Sequence, residues 1–166
     1  MITVILIHPF PYYPNSNNNN NASHAALFLT YHDPVYGIKI QYPSSWEKIQ
    51  FGKNFIVGFV SASRHDSGVL ENVMISSIKL SSPNTSLNNF GNTRISALES
   101  QYQDFHLVSS GPFITSTGSP LYKIEYTHTD GILPITTTEI WSLKGADAYL
   151  MSIHLRLLHI CLYFKR

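Results

Sequence analysis

The residues that could do chemistry are eight histidines, ten acidic side chains and a single cysteine, and their spacing is more informative than their number. In His128-Thr129-Asp130 an imidazole and a carboxylate stand two residues apart. In extended chain, residues i and i+2 project from the same side, so these two side chains can converge on a divalent ion. Two side-chain ligands leave most of a coordination shell open. A hard ion such as Ca²⁺ would draw further oxygens from the Gly131 and Ile132 carbonyls and from Glu139. His32-Asp33 and His65-Asp66 are adjacent rather than alternate, point apart in extended chain, and read as ordinary surface or turn residues. Cys161 is the only thiol, so neither an internal disulfide nor a multi-thiolate zinc site can form. The chain has no phosphate-cradling glycine loop, no nucleophile elbow and no H-E-x-x-H. Its acidic residues are scattered, with no pair placed for general acid and base work. The residues therefore favour a protein that is not an enzyme; the alternative is a small hydrolase or other enzyme with an unrecognised active site.

Composition narrows the classes further. Charged residues make up 13% of the 166, about half the ~25% usual for a globular protein, and 20 Ser, 12 Asn and 11 Thr supply the polar surface instead. A formal net charge of +1 without clustered Lys or Arg offers no footprint for nucleic acid. No apolar run approaches the ~20 residues of a spanning helix. The runs 2–7 and 153–164 come nearest, the second broken by Arg156 and two histidines. Residues 2–7 read either as the clipped end of a secretory leader or as a plain apolar leader. Asn21-Ala22-Ser23 and Asn84-Thr85-Ser86 match the glycosylation sequon and lend slight support to export.

The elements that must position these residues are mostly strands. Residues 1–26 form an apolar leader and a linker ending in five consecutive Asn, a composition with little to bury. A single folded domain is expected over 27–153, followed by an atypical apolar tail over 154–166. Tyr36-Gly37-Ile38-Lys39-Ile40-Gln41-Tyr42 alternates until Pro43 withdraws the ladder donor. Strands follow over 55–60, 72–80, 105–108, 120–128, 135–143 and 148–153, and the 72–80 strand is apolar on both faces, as if covered on both. One helix is predicted over 86–103, capped by Thr85 or Ser86. At 100° per residue Leu87, Phe90, Ile95, Leu98 and Tyr102 share an arc of about 140°, a core-facing stripe. Lys144-Gly145-Ala146-Asp147 is a tight-turn sequence joining the last two strands as a hairpin. Short connections between strands and one helix give an α+β chain with an antiparallel sheet.

One resemblance is specific. Phe28-Leu29-Thr30-Tyr31, then Tyr36-Gly37-Ile38, an alternating strand and Tyr42-Pro43-Ser44-Ser45-Trp46, resembles the opening of PsbP-like domains. The later Gly58-Phe59-Val60 strand, the helix, Gly118-Ser119-Pro120-Leu121-Tyr122-Lys123 and Trp141 before a glycine turn continue the pattern over 28–153, roughly three quarters of the chain. The resemblance implies an α/β/α sandwich around a central antiparallel β-sheet. It also implies a non-catalytic binding or assembly role of the kind served by calcium-linked extrinsic subunits of the photosystem II oxygen-evolving complex. The chain is more similar to exported archaeal relatives with Asn- and Ser-rich linkers, which implies an extracellular or cell-surface location, peripheral to a membrane, and a protein partner. No binding residue transfers from the family, so His128 and Asp130 remain the metal candidates and Ca²⁺ the candidate ion. One departure stands out. Such domains continue into a C-terminal amphipathic helix, whereas 153–166 has neither turn nor cap, as in a truncated, frame-shifted or alternative apolar end. The expectation is that Leu155, Leu157, Leu158, Ile160, Leu162 and Phe164 pack back on a bare sheet face or drive self-association.

Overall fold

Alternation sets the first sheet: Ile38 and Ile40 are buried, while Lys39 between them and Gln41 after them are exposed. The computed structural model describes residues 2–5, 27–50, 52, 55–62, 71–115, 118–131 and 133–156, with side-chain surroundings from 27 onward except at 130, 155 and 156. The Asn-rich linker, the Asn21 sequon, His65-Asp66 and the tail from 157 lie outside the described residues. Backbone contacts group the chain into two units, 1–47 and 48–166.

In the first unit, β3 (Ile38–Pro43) lies between β1 (Ile2–Ile5), which runs parallel to it, and β2 (Phe28–Asp33), which runs antiparallel. The turn from β2 to β3 is held by Asp33, whose Oδ1 accepts from the N–H groups of Val35 (2.9 Å) and Tyr36 (3.1 Å), and Gly37 supplies the left-handed φ of 67°. Asp33 is thereby spent on its own turn. Pro43 ends the strand as its final residue.

The second sheet has seven strands in the order β4 (Trp46–Ile49), β5 (Phe55–Ser61), β6 (Asn72–Lys79), β10 (Asp147–Arg156), β9 (Leu133–Lys144), β8 (Pro120–Asp130), β7 (His106–Ile114), and is antiparallel from β5 to β7. The hairpin from β9 to β10 turns at Gly145 (φ 61°), with Lys144 opposite Asp147 as the turn sequence predicts. The helix α1 (Leu87–Gln101) begins where expected, the Ser86 hydroxyl accepting from the Asn89 N–H at 3.1 Å. Leu98 is fully buried, and Leu87, Phe90, Ile95 and Tyr102 pack with it on Tyr122, Ile124, Tyr126, Trp141 and Leu150. The predicted stripe is the packed one.

Two expectations are corrected. β7 reaches Ile114 rather than stopping at 108: residues 108–110 and 112–114 are exposed, and a stretch with no buried face shows no apolar alternation to read. β6 is buried on one face, through Val73 and Ile75, whereas Ile78 on the other is 37% exposed. Its second apolar row is only half covered.

Candidate functional site

Arg94 and Leu98 of α1 and its C-cap Tyr102 are spaced four apart and so form one row along the helix. The sheet beneath presents Tyr122, Ile124, Tyr126 and His128 from β8. Trp141, Glu139 and Thr137 of β9 lie in register opposite Tyr122, Ile124 and Tyr126. Each polar member of the helix row meets a polar member of the sheet.

Glu139 is 1% exposed. Its carboxylate accepts from Arg94 in a two-point fork, Nε to Oε2 at 2.8 Å and Nη2 to Oε1 at 2.6 Å, and Oε1 also accepts from the Tyr126 hydroxyl at 3.1 Å. Bidentate guanidinium geometry is what makes a buried carboxylate tolerable. The fork raises the pKa of Arg94. Burial first, and then the Glu139 charge, pushes the Tyr126 hydroxyl well above the usual tyrosine range. Glu139 is therefore not an oxygen ligand beside Asp130. It lies opposite Ile124, six residues along β8 from Asp130 and so ~20 Å away at strand rise, and both its oxygens are already engaged by Arg94.

His128 is buried under the Tyr102 ring, which stacks on it with centroids 4.1 Å apart and planes 25° from parallel. Its Nδ1 lies 3.3 Å from the Thr129 carbonyl, and its Nε2 lies 3.2 Å from Thr137 Oγ1, which is 3.1 Å from His154 Nδ1. A carbonyl can only accept, so a neutral His128 carries its proton on Nδ1 and leaves Nε2 as the acceptor. Thr137 then donates to His128, and the Thr137 oxygen accepts from Nδ1–H of His154. One hydroxyl thus links two histidines on different strands. Nearby, the Thr129 hydroxyl donates to the Asp104 carboxylate, and this bond holds the Asp104 pKa below the usual carboxylate range.

Of the two candidate metal ligands, His128 is thus placed in the polar row with both ring nitrogens engaged. Asp130 is placed only by register, opposite Leu133 at the end of the β8–β9 hairpin, and its side chain is outside the described residues. Among the described residues no three of His, Cys, Asp and Glu come together as a metal would require. For His128 to ligate an ion it would have to give up Thr137 or the Thr129 carbonyl. The Thr137 hydroxyl beside it is fully buried, so this oxygen and imidazole are closed to a substrate.

Sequence reasoning missed the Arg94–Glu139 pair and the link from His128 to His154. A signal for the first was present: Glu139 shares inward parity with Ile135, Thr137 and Trp141, and an acid at such a position requires a buried partner. Nothing in the sequence identified Arg94, 45 residues away, as that partner.

No family model matches this sequence, and no curated protein is significantly similar to it. Solved structures do share its fold. The solution structure of cyanobacterial PsbP (CyanoP) from Synechocystis sp. PCC 6803 superposes with a TM-score of 0.61 at 14% identity, over 88% of this chain and 90% of that one. Protein PA94 of Pseudomonas aeruginosa, of unknown function, gives 0.57 at 10% identity over 82% and 88%. The Saccharomyces cerevisiae Ran-binding protein Mog1p gives 0.57 at 8% identity over 80% and 79%. The fold is PsbP-like. Among the described residues no helix is long and apolar enough to cross a membrane.

Proposed function

We propose that the chain is a non-catalytic binding and assembly module that docks on a protein partner. The observation that carries this reading is the fold, which it has in common with a PsbP protein and with a Ran-binding protein. The polar groups beneath α1 support it, because Arg94, Glu139, Tyr126, His128 and Thr137 are spent on one another and fasten helix to sheet rather than facing a substrate. The finer parts of the reading are an α/β/α sandwich without the usual C-terminal helix, an extracellular or cell-surface location peripheral to a membrane, and calcium linkage. On this reading a divalent ion binds weakly at His128 and Asp130, because the His128 ring must first leave its hydrogen bonds and the Gly131 turn supplies mainly carbonyls.

The test is binding of the purified full-length protein to membranes from its own cells. Saturable binding that disappears when the membranes are first shaved with protease is expected. Binding only to protein-free lipid, or none, overturns the docking reading, and hydrolysis of a panel of simple esters or peptides would favour the enzyme alternative. Calorimetry with Ca²⁺ and Zn²⁺ on the wild type and on Asp130→Ala tests the ion, since equal heats from both proteins remove it from this site.

A further inference from the structure

We propose that Asn84 is an N-glycosylation site that takes an oligosaccharide from a lipid-phosphate-linked donor. The proposal rests on the extracellular or cell-surface location put forward above, because sequons are modified in exported chains. Asn84-Thr85-Ser86 lies in the short connection from β6 to α1. The Ser82 carbonyl accepts from the Thr85 N–H at 3.3 Å and from the Thr85 hydroxyl at 2.8 Å, which closes a turn with Pro83 and Asn84 at its two central positions. Asn84 is exposed, as are Ser81, Ser82 and Pro83 before it and Ser86 after it. At the foot of the connection the Leu80 N–H donates to the Ala146 carbonyl, which holds the turn at the Gly145 end of the sheet. His128, Asp130 and the last residues of β10 are at the other end.

The reaction makes demands on the acceptor that named groups meet. Its nucleophile is the Asn84 carboxamide nitrogen, which bonds to the anomeric carbon of the first sugar. The bond from that carbon to the donor's phosphate oxygen breaks, the lipid phosphate leaves with the electron pair, and one amide proton passes to the transferase. Ser82 Oγ engages the backbone N–H of Asn84, not its carboxamide, so among the described residues the nitrogen has no bond to give up. The third residue of the sequon must offer a hydroxyl. Ser86 Oγ spends one lone pair on the Asn89 N–H, which leaves its own hydrogen to donate to a transferase. The middle residue must not be proline, and it is Thr85. An oligosaccharide at this exposed turn needs no rearrangement of helix or sheet, and it adds hydration to a chain of which only 13% is charged.

The test is the mass of the tryptic peptide 80–94 from the full chain isolated from its own cells, with the cell fraction recorded. Lys79 and Arg94 bound this peptide, and Asn21 falls in another, 1–39. An oligosaccharide increment on 80–94 is expected. It should be lost in Asn84→Gln and also in Ser86→Asp, which removes the sequon but keeps a side chain able to cap α1. A peptide at its sequence mass, in protein recovered from the cell surface or the medium, overturns the glycosylation and leaves the docking reading intact. Protein found only in the cytosol overturns the location and this proposal with it. An increment that persists in Asn84→Gln assigns the sugar to a hydroxyl of the same peptide and overturns Asn84 as its site. Should Ser86→Asp not fold, Asn84→Gln decides alone, since it alters only an exposed carboxamide.

Discussion

Gly91 of α1 sits against the ring of Tyr122: a Cβ at this position would lie 2.8 Å from Cζ and 2.9 Å from Cε1. That ring cannot swing aside, because it stacks on Trp141 with centroids 5.0 Å apart and planes 11° from parallel, and Trp141 is itself held edge-on by Phe90 at 5.4 Å. Glycine therefore sets how closely helix and sheet approach. In an exposed helix Gly→Ala stabilises by about 1 kcal/mol. Here overpacking should win, and Gly91→Ala is expected to destabilise by roughly 1–3 kcal/mol in urea unfolding. A gain in stability would mean that α1 can lift off Tyr122 at no cost.

The Arg94–Glu139 pair should show the asymmetry of buried charges. Arg94→Met leaves a carboxylate with 1% exposure and only the Tyr126 hydroxyl as donor, and should cost about 3 kcal/mol. Removing both charges in Arg94→Met/Glu139→Leu should recover most of that loss. Urea unfolding of the two proteins gives the comparison. A double variant less stable than Arg94→Met would show that the fork contributes net stability and does more than compensate for its own burial.

What could be read from the sequence were the features with a local period or a local partner. The α1 stripe, the Ser86 cap, the Ile38 and Ile40 face and the Gly145 turn each depend on residues within a few positions of one another, and all are found. The site was different in kind. Arg94 meets Glu139, and His128 meets His154 through Thr137, only because β10 is inserted between β6 and β9 and α1 crosses β8. No spacing rule encodes that order. β7 shows the same limit from the other side: most of its second half is exposed, so it carries no apolar pattern.

Alkaline pH should weaken the fold through the buried Tyr126 and the half-buried Tyr31. Burial and then the Glu139 charge hold the Tyr126 proton to a pH above the ordinary tyrosine value of ~10. Burial, followed by the hydrogen bond to Asp33, raises Tyr31 to about 12. With a folded pKa above the unfolded one, this stability is complete below pH ~10 and is lost as the unfolded chain ionises above it. Tyr126→Phe gives up its hydrogen bond to Glu139, roughly 1 kcal/mol, at neutral pH and should then decline less steeply. Urea unfolding from neutral to strongly alkaline pH is expected to show the two stabilities converging. Parallel curves would mean that Tyr126 ionises as easily folded as unfolded.

The link through Thr137 makes a sharper demand, because it concerns protons on two strands at once. If the Thr137 hydroxyl donates to His128 Nε2 and accepts from His154 Nδ1, both neutral rings carry hydrogen on Nδ1. Nitrogen NMR at alkaline pH, where free histidine is neutral, should therefore report the Nδ1–H form for both. Thr137→Val keeps the shape and removes the hydroxyl. His128 Nε2, on a ring only 6% exposed, then loses its acceptor role toward Thr137, and His154 Nδ1 loses the same oxygen. A buried group left unsatisfied costs roughly 1–3 kcal/mol, so the variant should unfold at clearly lower urea concentration. The His154 Nδ1 signal should move with the loss of that oxygen, while the Thr129 carbonyl continues to hold the His128 proton on Nδ1. The informative outcome is the difference between the two rings: a shift in His154 with none in His128 is expected. If His128 shows the Nε2–H form in the wild type, the direction of the chain is reversed. Thr137 then accepts from His128 and donates to His154, and the Thr129 carbonyl no longer sets the order of protons.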